Sequence, residues 1–115
     1  MRLAAAILVL CLGCDRREAA VDPGPVVDKP APIPAAELAR GKDACAQLVA
    51  KLCACPAKSK ECALAKGYPE AIEVALEVVA STDSTRRDVL QSQDMIRKTN
   101  AHCIEEATKP IADCN

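Results

Sequence analysis

The chain has 115 residues, with eight cysteines, eight prolines, no phenylalanine, no tryptophan and a single tyrosine, Tyr68. Its 15 lysines and arginines face 16 aspartates and glutamates, a formal net charge of −1. That near-balance excludes an electrostatic case for nucleic acid or for an anionic membrane face, and the glycines scattered at 13, 24, 41 and 67 build no phosphate-cradling loop.

The first fourteen residues read MRLAAAILVLCLGC: a positive Arg2, an unbroken apolar run from Leu3 to Leu12, and a small residue, Gly13, before Cys14. This is the pattern of an export signal. The apolar run is far shorter than the ~20 residues a helix needs to cross the hydrocarbon core. Its ending resembles the lipobox of bacterial lipoproteins, in which a small residue precedes a cysteine that is lipidated and becomes the mature N-terminus. Gly13 and Cys14 match it, Leu12 is compatible, and Cys11 stands where leucine is usual. The resemblance implies a small cysteine-rich bacterial lipoprotein: a signal peptide over residues 1–13, lipidation at Cys14, and an exported chain anchored by its N-terminal lipid to the inner or outer membrane of the cell envelope. Several acyl chains on one cysteine give stable rather than marginal anchoring. Asp15 resembles the inner-membrane retention residue of some enteric lipoproteins. Removal of residues 1–13 takes away one arginine and leaves a net charge of −2.

Residues 14–34 read as the lipidated cysteine and a linker. Five prolines fall between positions 15 and 34, with neither helical nor strand periodicity, the composition of an extended spacer. At ~3.1 Å per residue such a spacer reaches several tens of Å. Residues 35–115 remain as the foldable unit. A domain of this size, with a core limited to Ala, Val, Leu, Ile and Cys, buries too little area to stand comfortably on packing alone.

The periodicity of this unit is helical. Leu38, Cys45, Val49 and Leu52 define a first helix from about Ala35 to Ala54, ended by Pro56. Glu61 to Lys66 reads as a short helical turn closed by Gly67, and Pro69 as the first turn of another helix with Ile72, Ala75, Leu76 and Val79 on one stripe. The run STDST interrupts it. Thr85 and Asp88 then form a capping-box-like start to a third helix that carries Val89, Ile96 and Cys103 at intervals of seven and ends by Pro110. The expected fold is all-α, a small disulfide-stapled bundle of about three helices.

Six cysteines fall in this domain: Cys45, Cys53, Cys55, Cys62, Cys103 and Cys114. An even number in a small exported domain points to a disulfide framework. Sequence leaves 15 pairings open. An up-down-up arrangement ranks Cys45 with Cys114, Cys53 with Cys103 and Cys55 with Cys62 first. The alternative is an envelope metal-binding protein that holds Cu or Zn on Cys53, Cys55, Cys62 and His102, although no paired C-x2-C knuckles are present. Thiol exchange at Cys53 and Cys55 is weaker, since the spacing is C-x-C.

No catalytic set emerges. His102 and Cys103 are adjacent, and helical neighbours point about 100° apart. Ser81, Thr82, Ser84 and Thr85 suit turns and caps, and Glu73 with Glu77, or Glu105 with Glu106, suit solvated helix faces. The expectation is a non-catalytic envelope lipoprotein, without a cofactor, whose domain is an interaction or structural module for an envelope protein partner.

Overall fold

The structure, a computed structural model, describes residues 29–112 and residue 114. The expected signal peptide, Cys14 and the linker up to residue 28 lie outside the described residues. Three helices follow: α1 over Ala35–Cys53, α2 over Ser59–Ala80 and α3 over Arg86–Thr108, with a single 3₁₀ turn, Pro56–Lys58, between the first two. Among the described residues there is no strand, and the fold is the all-α, disulfide-stapled three-helix arrangement that the periodicity predicts.

Direction follows from which residues meet. Glu37 pairs with Arg97, Gly41 abuts Asn100, Cys45 is bonded to Cys103, and the Lys51 ammonium donates to the Ala107 carbonyl. Both numbers rise together, so α1 and α3 run parallel. Lys42 meets Glu73 at 2.6 Å and Cys53 is bonded to Cys62, so α2 runs against α1. The bundle is therefore up-down-up. We call its two ends the base, where α1 and α3 begin, and the crown, where they finish.

The core is thin, as the composition requires. Ile72, Ile96, Val89, Cys45, Cys55 and Cys103 are its largest fully buried side chains. Leu38, Val49, Leu52, Leu76 and Val79 only lean on it. Small residues let the helices approach closely: a Cβ built on Gly41 would lie 1.9 Å from the Asn100 Cγ. Gly41 is therefore required by proximity and not by its backbone angles. Asn100 is only 4 % exposed, and neither its amide nitrogen nor its carbonyl oxygen has a hydrogen-bond partner among the described residues.

The middle of the chain departs from expectation. Gly67 does not end a helix and Pro69 does not begin one, because α2 is continuous through both. Proline at position 69 removes the amide that would bond the carbonyl four residues earlier. Burial of Ala65, Ile72 and Ala75 along one side, and the Cys53–Cys62 bridge at its first turn, hold the helix across that gap. The start of α3 matches expectation: the Thr85 hydroxyl accepts from the Asp88 amide at 3.1 Å, and the Asp88 carboxylate accepts from the Thr85 amide at 2.8 Å.

The residues before α1 are bound to the bundle. The Gln93 side-chain amide, itself buried, donates to the Ala31 carbonyl at 2.9 Å, Lys29 reaches the Ser81 carbonyl, and Ile33 packs on the core. The segment that precedes α1 thus meets the bundle from Lys29 onward, at the base. Among the described residues no helix is long and apolar enough to cross a membrane.

Candidate functional site

All three expected cysteine pairings are corrected. Cys45 is bonded to Cys103, with Cα atoms 4.8 Å apart, and Cys53 to Cys62, also 4.8 Å apart. The up-down-up topology is as expected, but the register differs. Aligning α1 and α3 by their first residues would place Cys53 beside Cys103. The seating of Asn100 on Gly41 instead sets Cys45 level with Cys103, one turn higher. Cys53 then lies eight residues further up α1, about 12 Å at 1.5 Å per residue, and finds Cys62 across the tight turn that contains Pro56.

The remaining two cysteines meet at the crown. Cys55 is 1 % exposed, between the end of α1 and the 3₁₀ turn, and Cys114 is half-buried. The Cys114 thiol hydrogen-bonds Cys55, which, with partial burial, pushes it above the usual thiol range; nearby Lys58 pulls the other way. The alternative metal set does not assemble. Cys53 and Cys62 are spent in a disulfide, Cys55 is buried toward Cys114, and His102 turns to Tyr68. Among the described residues no three His, Cys, Asp or Glu side chains converge as ligands.

Next to these cysteines lies a groove of about 360 Å³. Leu48, Leu52, Leu64 and Ala65 form its apolar floor and lip, and Pro110, Ile111 and Ala112 close one side. This last segment leaves α3 at Lys109 and folds back toward the corner between α1 and α2. Leu64, at 66 % exposure, stands into solvent at the lip.

The polar rim is self-satisfied. Tyr68 Oη lies 3.2 Å from His102 Nε2, and the two rings meet edge to face with centroids 5.2 Å apart. Lys109 lies 2.8 Å from Glu106 and 3.2 Å from Glu105. A hydrogen bond from Lys109 holds the Glu106 carboxyl below its usual range, and Glu106, then Glu105, hold the Lys109 ammonium above its own. Lys58 and Glu61 stand 4.0 Å apart. Such a rim presents little net field but several donors and acceptors around an apolar floor, the composition of a recognition pocket.

Several other residues weighed in the sequence have structural partners. Glu73 pairs with Lys42, the Ser81 hydroxyl accepts from the Asp83 amide, and the Ser84 hydroxyl donates to the Val78 carbonyl. His102 is an exposed residue of α3, and it pairs there with Tyr68. Its only sequence signal was that the chain's sole tyrosine and sole histidine sit on helices that run antiparallel. Comparison with protein-family models, with curated proteins and with solved structures finds no match.

Proposed function

We propose that this chain is a non-catalytic, lipid-anchored cell-envelope protein whose disulfide-stapled helical domain captures a protein partner in the groove at its crown. The observation that carries this reading is the polarity of the bundle. The tether enters at the base, by Lys29, whereas the groove opens toward the crown, its first α1 wall residue, Leu48, lying 13 residues above Ala35. At 1.5 Å per residue that is roughly 20 Å, so a lipid at Cys14 and the linker would present the groove away from the membrane surface.

The groove suits a side-chain anchor. Its volume is at the small end of the ~300–1,000 Å³ range of ligand pockets, enough for one or two apolar side chains of a docking segment. Leu64 offers an unpartnered apolar contact at the lip, and the Tyr68–His102 pair supplies an adaptable hydrogen-bonding edge.

Two measurements test this. Fractionation with a labelled fatty acid should show label and membrane retention that Cys14→Ala abolishes; an unlabelled, fully soluble wild-type chain overturns the anchor. A photo-crosslinking residue at Tyr68 should yield, in intact cells, one discrete adduct to an envelope protein that Leu64→Asp removes. Absence of any adduct, or an enzymatic activity lost on a single substitution, overturns the interaction reading.

A further inference from the structure

Cys55 and Cys114 are drawn together from distant parts of the chain without being joined. Cys55 is held by the α1 terminus and the 3₁₀ turn, with its side chain inside. Cys114 arrives on the segment that walls the groove. Among the described residues the last backbone hydrogen bond on that segment is from the Lys109 amide to the Glu106 carbonyl, at 3.2 Å. Beyond it Pro110 and Ala112 are exposed, Ile111 is half-buried, and the segment meets the corner of the bundle through the contact between the two thiols.

We propose that Cys55 and Cys114 form a third, reversible disulfide that clamps the C-terminal segment to the corner between α1 and α2 and fixes the wall of the groove. The chemistry is exchange with an external disulfide, either a small molecule such as glutathione disulfide or an envelope thiol oxidase. The Cys114 thiolate, the more accessible of the two, attacks one sulfur of that disulfide and releases one thiol. The Cys55 thiolate then attacks the Cys114 sulfur and releases the second. Two protein thiols are oxidised to one disulfide, and the external disulfide is reduced to two thiols.

The three bridges would differ in access. Cys45–Cys103 is wholly buried between α1 and α3, so reductant reaches it only when the bundle opens. Cys55–Cys114 needs only the tail to lift. Closure accelerates as pH rises, because the attacking species is the thiolate and the Cys114 thiol is held in its protonated form above the usual range. The bridge itself stands independently of any partner; its role as a regulator of docking rests on the interaction reading.

The experiment uses the full chain, exported in oxidising cells and purified from membranes in detergent. Alkylation under denaturing conditions without reductant should label none of the six domain cysteines, and Cys114→Ser should expose one label, located on Cys55. Labels on both Cys55 and Cys114 of the wild type, or on another cysteine of the variant, overturn the bridge. Proteinase K cleavage within residues 110–112 should be about 10-fold faster in Cys114→Ser, or after mild dithiothreitol treatment of the wild type, while the helices around Cys45 and Cys103 stay uncut. Unchanged cleavage within residues 110–112 with the bridge open overturns the clamp. Because neither readout needs a partner, failure of the bridge and failure of the docking reading are told apart.

Discussion

The base and the crown of the bundle are closed by different means. At the base, Thr85 and Asp88 satisfy the first amides of α3 reciprocally, Gly41 lets Asn100 sit directly on α1, and Gln93 ties down the incoming chain through Ala31. At the crown, α1 runs into a 3₁₀ turn, α3 runs out before Pro110, and four cysteines gather where no such caps exist. Packing of small residues and local hydrogen bonds suffice where the chain enters the bundle. Where the chain must turn sharply or leave the bundle, sulfur replaces the missing core area. The groove occurs at the crown for the same reason, since the Cys53–Cys62 bridge holds the backbone without filling the space between the helices.

The largest test of this contrast is the bridge between the two ends. Replacing Cys45 and Cys103 together by alanine releases a loop spanning 58 residues of sequence separation and should cost about 4 kcal/mol in denaturant unfolding by the chain-entropy account. Replacing Cys53 and Cys62 opens a separation of only 9 and should cost about 2.7 kcal/mol. The reverse order would mean that the crown, not the α1–α3 contact, holds the fold.

At the base, Gly41→Ala forces a Cβ into a buried side chain and should destabilise by about 1–3 kcal/mol despite alanine's better helix propensity. Asn100→Ala in the same chain should recover most of that, because it removes the obstacle together with two unsatisfied polar atoms. Thermal melts of the two single variants and the double variant measure the coupling; simple additivity would break the interlock.

Thr85→Ala should cost about 1 kcal/mol through loss of the cap. The same box carries a pH signature. Hydrogen bonds from the Thr85 side chain and backbone hold the Asp88 carboxyl below its usual range, so it gives up its proton more readily folded than unfolded. Its contribution is present above the unfolded value near pH 4 and is lost as pH falls through the lower folded one. Stability measured from pH 5 to pH 2 should therefore fall less steeply in Asp88→Asn. An unchanged acid limb would remove the box from the account. At the crown, Leu64→Asp should leave the melting curve within about 0.5 kcal/mol of wild type, since the side chain is mostly exposed. A larger loss would mean that Leu64 belongs to the core and not to a docking lip.

The parts of this molecule that sequence made legible are those set by neighbours in the chain. The intervals of seven that carry Val89, Ile96 and Cys103 placed three buried side chains, at 1 %, 0 % and 0 % exposure, on one face of α3. The Thr85–Asp88 spacing located its first turn. Pro69 misled for the opposite reason: its local cost was readable, whereas the burial of Ala65, Ile72 and Ala75 that outweighs it depends on helices far away in sequence. His102 was visible as a residue, but not its closeness to Tyr68, which needs α2 and α3 to lie antiparallel at one register.

By itself, then, the sequence determined the helical class, the helix starts at Ala35 and Arg86, and the thin core that makes disulfides necessary, because periodicity, caps and side-chain volume act within a few residues. Which cysteine meets which was decided only by tertiary structure. A helix that slides by two turns against its neighbour keeps every local interaction and exchanges every partner, and here the sliding is stopped by one glycine and the asparagine seated on it.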